Sequence, residues 1–440
     1  MSDTKKILQN TPPKGTADWF PEEFATRKLI FDNWREVCTK FGYKEYLTPI
    51  VESAEIYRAK SGEDVGGKEL MTMTDRAGRE LAIRPEMTPS VTRMVSRIYG
   101  KEAKPIRYFS IANFMRNEKP QRGRNREFWQ LNFDIFGSNA LNADIEVLQM
   151  ALEIMLSFAP PKGSFTLIVN NRKLIDAILQ NVISGDTEQK TQIVRILDKS
   201  EKLTDGELRD RFIALGLKEE QIINLLKFIR STDAKLLIEN LPELEANQGY
   251  IETIKIIKKL EDLGYGEWIK FQPNIIRGFD YYDGMVFELF DNNPENTRAM
   301  FGGGRYNGLA GLFGGESFPA VGCAPGDETI KLFLESWDLV EKLKIKSEKL
   351  KIYMPILDET LELQTSKIAQ NLRSKGLIVE LSVEIQGFGK SMQYADKQGF
   401  DYILLFGTNE AEKGEITVKN LKSGEQESLK IEEVQDKFKL

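Results

Sequence analysis

Two strings separated by only eleven residues restrict this chain more than any other feature: RGFDYYDGMVFEL at 277–289 and FGGGRYNGL at 301–309. In the first, Tyr281, Tyr282, Val286, Phe287 and Leu289 favour extended backbone and Gly284 interrupts them, which predicts a β-strand emerging from a turn. In the second, Gly302, Gly303 and Gly304 carry no side chain, so a ligand or a second strand can come against the main chain. Arg305 and Tyr306 then add a charge and a hydroxyl. A glycine-rich hairpin by itself is simply a hairpin. Together the strings gather fixed cations, phenols and bare backbone into one short stretch.

A second informative stretch is 106–137, IRYFSIANFMRNEKPQRGRNREFWQLNFDIFG, which reads as strand, basic loop, strand, with a turn around Pro120 to Gly123. After the loop, Gln130, Asn132 and Asp134 alternate with Leu131, Phe133 and Ile135, so period two puts the polar three on one face. A half-exposed sheet edge gives the same alternation. Arg122, Arg124 and Arg126 form a basic patch able to engage phosphates, or a merely solvated one. Residues 21–41 carry apolar positions at helical spacing and Gly42 ends them; GYKEYLTPIVE then reads as a strand whose Pro49 points to an edge or interface. Residues 81–97 pass from a strand into a helix, with Arg84, Glu86 and Thr88 at the switch and Pro89 in the first turn. Helical spacing dominates from about 172 to 264, and strands alternate with helices after Leu350, implying a small sheet with crossover helices.

Composition narrows the chemistry. A length of 440 residues admits two or three domains, and a net charge of −6 means that any nucleic-acid contact comes from a local patch. No apolar run is long enough to span a bilayer, and MSDTKKILQNTPPKG lacks the apolar core of a signal peptide, so a cytoplasmic protein with no membrane partner is expected. Cys38 and Cys323 read as reduced packing residues. The chain has no histidine. That excludes hydrolase triads and zinc sites built on histidines or cysteines, and leaves carboxylates, arginines, tyrosines and positioning to carry the chemistry. It also implies that no side chain of ordinary pKa titrates near pH 6.5.

The 277–289 and 301–309 strings closely resemble the two histidine-specific signature segments of histidyl-tRNA synthetases, a class II aminoacyl-tRNA synthetase family. The resemblance extends from PPKGTADWFPEE to the C-terminal hairpin. It implies an α+β fold: a class II antiparallel sheet core with helices over 1–171 and 265–342, a helical insertion over 172–264, and a C-terminal α/β anticodon-binding domain over 348–440. Residues 21–51 resemble the first class II motif, which implies a homodimer. Carried over position by position, Arg116 and Arg277 are the catalytic arginines at the α-phosphate, and ATP is held by Arg116, Glu118 and Arg277. Histidine is bound by Glu86 and Thr88 at its α-ammonium, by Gln130 and Tyr306, and at its ring by Asp134 and Tyr282. The loop residues Gln121, Arg122, Arg124 and Arg126 meet the tRNA acceptor end.

Imidazole supports that assignment physically, since an N–H donor and a lone-pair acceptor lie on opposite sides of the ring. Asp134 can accept and Tyr282 can donate. The implied reaction is ATP- and Mg2+-dependent conversion of histidine to histidyl-adenylate, then transfer to the 3′ end of tRNA(His). Such chemistry needs orientation and charge neutralisation and no protein histidine. An enzyme that charges tRNA(His) and contains no histidine would also be translated without stalling when charged tRNA(His) runs out; deliberate removal of histidine leaves the same trace. One departure stands out: FPAVGCAPGDETIKLFLE matches the third class II motif, except that Thr329 occupies the place of its ATP-clamping arginine. Thr329 favours the rival reading, a non-catalytic histidine-sensing paralogue of the ATP phosphoribosyltransferase subunit type.

Overall fold

The computed structural model describes residues 9–59, 64–182, 187–197, 200, 203–273, 275, 282–314, 316–347 and 350–438. They fall into two compact units, residues 1–344 and 345–440.

The first unit is built on an eight-stranded sheet. Its strands run in the order Lys44–Glu45, Ile106–Met115, Glu127–Phe136, Ala320–Cys323, Ala299–Arg305, Met285–Asp291, Phe165–Asn171, Ile269–Phe271. The six central strands pair antiparallel, and each edge strand joins in parallel. The two ten-residue strands around the basic loop pair throughout, from Ile106 opposite Phe136 to Met115 opposite Glu127. Alternation along them sorts the faces. Phe109, Leu131, Phe133 and Ile135 point into a core shared with Ile30, Trp34 and Val37 of the Pro21–Lys40 helix and with Leu148, Leu152 and Met155 of the Leu141–Leu156 helix. The opposite face carries Ile106, Ala112, Phe114 and Phe136, packed with Met87 just ahead of the Thr88–Ser96 helix, with Val91 of that helix and with Tyr306. That face also holds Gln130, Asn132 and Asp134.

GYKEYLTPIVE departs from the single strand its sequence suggests. Lys44–Glu45 joins the large sheet, whereas Val51–Ser53 joins a three-stranded sheet with Glu80–Ile83 and Thr72–Thr74. Between them the Arg84 guanidinium donates to the Thr48 carbonyl at 2.8 Å and to the Asn113 carbonyl at 2.8 Å, so a side chain satisfies backbone that a ladder would otherwise pair.

Helices at Arg172–Val182, Thr187–Leu197, Asp205–Ala214, Glu219–Arg230 and Ala234–Asn240 close around Leu174, Ile178, Phe212, Leu225 and Phe228. The Gln248–Asp262 helix returns to the sheet, burying Ile256 and Leu260 in the main core. No described helix is long and apolar enough to cross a membrane. Cys38 and Cys323 are buried and form no disulfide with each other.

The second unit is a five-stranded sheet in the order Ile378–Ile385, Lys351–Ile356, Tyr402–Leu405, Glu415–Asn420, Gln426–Lys430. The first three strands are parallel, with the Glu362–Ser374 and Phe388–Lys397 helices between them in sequence, and the last two form an antiparallel hairpin. The hairpin turns where Asn420 Oδ1 accepts the N–H groups of Lys422 and Ser423.

Candidate active site

The glycine run is a central strand, and its neighbours explain the missing side chains. Gly303 pairs with Cys323 and Gly304 with Gly322 on one side; the same two pair with Phe287 and Val286 on the other. A Cβ on Gly303 would lie 2.0 Å from the Gly322 carbonyl oxygen. One on Gly322 would lie 1.9 Å from Asp134 Oδ1, and one on Gly304 2.8 Å from the Tyr282 ring. The second strand expected against this run is therefore present on both sides, and the Tyr282 ring lies against it as well. Register makes Asp134, Gly322 and Gly304 consecutive across three strands. Two glycines thus form a floor with a carboxylate at one end and a phenol ring at the other.

Asp134 is only 4% exposed, and the Tyr306 hydroxyl donates to its Oδ1 at 2.5 Å. Burial raises the carboxyl to about 7, and the Tyr306 hydrogen bond opposes the rise. Gln130 stands two residues before Asn132 on the same face, its Nε2 donating to the Ala324 carbonyl at 3.2 Å. Glu86 is buried immediately ahead of the Thr88–Ser96 helix, and Thr88 opens that helix, half-buried, its carbonyl accepting from Thr92 Oγ1 at 2.7 Å.

Arg116 follows the Ile106–Met115 strand. Its Nε donates to the Pro85 carbonyl at 3.0 Å and its guanidinium carbon lies 5.1 Å from the Phe128 ring centroid. Burial lowers its pKa, against the raising fields of Glu86, Glu118 and Glu69. Arg116 and Glu86 thus belong to one electrostatic cluster, though 30 residues separate them in sequence.

The basic loop is ordered by its own polar groups. Gln121 and Arg124 exchange backbone hydrogen bonds at 2.9 Å each way across Gly123. Arg124 donates to Glu118 Oε2 at 3.0 Å, and Arg126 Nε to the Glu118 carbonyl at 3.1 Å. Arg298 donates to Gln121 Oε1 at 2.5 Å, and Arg122 lies 3.4 Å from Glu295 Oε2. Arg298 is a loop contact the sequence reading missed; its only signal was a charge at the turn before the glycine run.

Arg305 departs from the sequence reading. Its guanidinium clasps Asp144 with two hydrogen bonds, 2.9 and 2.7 Å, and donates to the Ser138 carbonyl at 2.9 Å, with both residues buried. Its charge is neutralised inside the fold by a partner on the Leu141–Leu156 helix, far away in sequence. Thr329 is likewise committed, donating to the Met300 carbonyl at 2.7 Å and lying 3.1 Å from that of Gly326. Arg277 and Tyr281 lie outside the described residues. Among the described residues no group of three or more acidic or thiol side chains is assembled to hold a metal.

The geometry matches known proteins along the whole chain. The model of the histidyl-tRNA synthetase family matches residues 15–330, and that of the anticodon binding domain matches 346–439. A histidine–tRNA ligase of Leptospira biflexa is 37% identical over 447 aligned positions, covering 100% of this chain and 99% of that one. One from Pyrococcus horikoshii is 34% identical over 432, covering 97% and 98%. Among solved structures, the histidyl-tRNA synthetase of a Nostoc species superposes with a TM-score of 0.81 at 24% identity, covering 98% of this chain and 99% of the other. A Bacillus halodurans protein described as an ATP phosphoribosyltransferase regulatory subunit/histidyl-tRNA synthetase gives 0.74 at 22%, covering 92% and 100%. At those identities the two structures speak for the fold alone.

Proposed function

The chain belongs to the histidyl-tRNA synthetase family, and on that premise we propose how its site works. The protein is a histidine–tRNA ligase, activating histidine with ATP and passing it to the 3′ end of tRNA(His). The full-length relatives named as ligases do not favour the regulatory reading.

The observation that carries the site assignment is Asp134 and Tyr282 on one face with Gly322 and Gly304 between them. Bare backbone there lets the Asp134 carboxylate and the Tyr282 ring lie directly against the sheet, and the two side chains offer an acceptor and a donor to a flat ring. The Tyr306 hydrogen bond fixes the Asp134 carboxylate, so histidine meets a preorganised acceptor. Glu86 and Thr88 hold the α-ammonium and Gln130 borders the amino acid. Arg116, braced by Pro85 and Phe128, neutralises charge at the α-phosphate, and Arg277 shares that task. Glu118 contacts the nucleotide, and Gln121, Arg122, Arg124 and Arg126 meet the acceptor end. Mg2+ would arrive with the ATP phosphates and supply charge neutralisation there.

Phe20, Leu47 and Ile50 are exposed apolar groups on the first unit, which supports a homodimer. In the second unit Val383, Ile385 and Phe388 are exposed around a cavity of about 450 Å³ lined by Glu384 to Lys390, which suits RNA bases and backbone. As a member of a family that charges tRNA, the enzyme is assigned to the cytoplasm. Histidine-dependent exchange of pyrophosphate into ATP tests activation: exchange that is absent, or indifferent to histidine, refutes this reading.

A further inference from the structure

Residues 13–16 have no role in the site as assigned above, yet they hold the base of the basic loop. Thr16 donates to the Pro13 carbonyl from its N–H at 3.0 Å and from Oγ1 at 2.8 Å, closing a four-residue turn. Gly15, third in that turn, has φ +88°, a conformation that costs glycine least. Its carbonyl accepts the N–H groups of Arg126 at 2.8 Å and Glu127 at 3.1 Å. The same residue is wedged between the two limbs of the loop. A Cβ at position 15 would lie 2.7 Å from Cγ of Arg126 on one limb and 2.9 Å from Cγ of Pro120 on the other.

The hold reaches the reacting groups in one further bond. The Arg126 carbonyl accepts the Arg116 N–H at 2.8 Å, and Arg126 Nε donates to the Glu118 carbonyl at 3.1 Å. The segment is itself anchored four residues on. Trp19 lies under the Arg27 guanidinium, 3.4 Å from ring centroid to Cζ, and Arg27 is paired with Asp327 and Glu328. Asp327 Oδ1 also accepts the Trp129 N–H at 3.0 Å, at the start of the strand that leaves the loop. Three like-charged arginines on one short loop repel one another, and a loop ordered only on binding lowers affinity by its ordering entropy. A clamp at its base removes part of that cost.

We propose that Gly15 is a positioning residue for the reaction: the Pro13–Thr16 turn clamps both limbs of the 116–126 loop, so that Arg116, Glu118 and Arg124 meet the nucleotide and the tRNA end in a fixed register. The proposal rests on the assignment of that loop to ATP and the acceptor end.

The test compares the full-length protein with Gly15→Ala, which adds the clashing Cβ, and with a deletion of residues 1–16, which removes the turn without adding a clash. In both, amide hydrogen exchange at Arg126 and Glu127 should accelerate. The KM for ATP should rise, or single-turnover transfer to tRNA should slow, by about 10-fold or more, while the KM for histidine stays within about two-fold. Arg122→Ala and Arg124→Ala serve as loop controls. If both controls leave ATP and transfer kinetics at parent values, the loop assignment fails and the proposal with it. If the controls impair either step while Gly15→Ala and the deletion impair neither, the clamp is overturned. A parallel rise in both Michaelis constants with a lowered Tm also overturns it, because it marks a merely structural turn.

Discussion

The Tyr306 hydroxyl donates a 2.5 Å hydrogen bond to Oδ1 of Asp134, a residue 172 positions earlier in the chain. That contact ties the second signature string to the strand that leaves the basic loop, and it governs the proton affinity of the proposed ring acceptor. Composition alone implied that no side chain of ordinary pKa titrates near pH 6.5. The fold supplies one: burial lifts Asp134 to about 7, even with the Tyr306 bond opposing it. In a chain without histidine, a buried carboxyl has acquired the titration range that histidine ordinarily covers.

The first prediction concerns stability. The Asp134 carboxyl ionises near 7 in the folded chain against 3.8 for the free group. A raised folded value means that its favourable contribution is complete below the unfolded pKa and is lost as pH climbs through the folded one. Asp134→Asn cannot ionise. Its stability relative to the parent should therefore improve between pH 4.5 and pH 8, by an amount on the order of 2–4 kcal/mol. Chemical denaturation of the two proteins at both pH values measures this, and an unchanged difference would refute the assigned shift.

Removal of the Tyr306 hydroxyl acts on the same carboxylate from outside. Tyr306→Phe deletes a hydrogen bond to a charged acceptor, a loss of about 1.5–3 kcal/mol, so the KM for histidine in pyrophosphate exchange should rise by roughly 10- to 100-fold. ATP makes no use of that contact, and its KM should hold. Because the bond restrains the upward shift of Asp134, the pH profile of kcat/KM for histidine should also move to higher pH. Equal effects on both substrates would make Tyr306 a packing residue only.

Two glycine substitutions should separate fold from site. A Cβ on Gly303 meets the main-chain oxygen of Gly322 at 2.0 Å in mid-sheet, so Gly303→Ala should lower Tm markedly. At Gly322 the added carbon meets Asp134 Oδ1 at 1.9 Å, and Phe133 O only at 2.9 Å. Gly322→Ala should therefore weaken histidine binding more than it lowers Tm. Isothermal titration with histidine beside thermal melts distinguishes the two, and identical phenotypes would argue against a glycine floor.

Local pattern made much of this legible. The alternation of Gln130, Asn132 and Asp134 with Leu131, Phe133 and Ile135 fixed a strand and its faces, because a two-residue period admits no other assignment once one face is buried. The basic loop announced itself through Pro120, Gly123 and its charges. Relationships between distant segments were not legible. Nothing near Asp134 in sequence indicates that Tyr306 will cover it, and nothing near Gly15 indicates that its carbonyl will serve Arg126. The division of GYKEYLTPIVE between two sheets depends on Arg84, whose partners at Thr48 and Asn113 only tertiary structure brings together. For Thr329 the sequence could register a missing arginine but not the hydroxyl's bond to Met300.

Arg305, which in sequence only adds a charge beside the glycine run, supports the last prediction. Beside the glycine run, a lone arginine suggests a ligand cation; in the fold it spends its guanidinium on Asp144 and the Ser138 carbonyl, both residues of the ion pair being less than a tenth exposed. Truncation of one partner leaves the other charge buried and uncompensated, so Arg305→Met should destabilise the first unit by about 3–5 kcal/mol. Replacement of both partners removes that uncompensated charge, and Arg305→Met with Asp144→Leu should recover most of the lost stability. Pyrophosphate exchange by the double variant, assayed below its melting range, should retain Michaelis constants for histidine and ATP near the parent values. A double variant that is stable but has lost ATP binding would return Arg305 to the site and show that its pairing with Asp144 gives way when nucleotide binds.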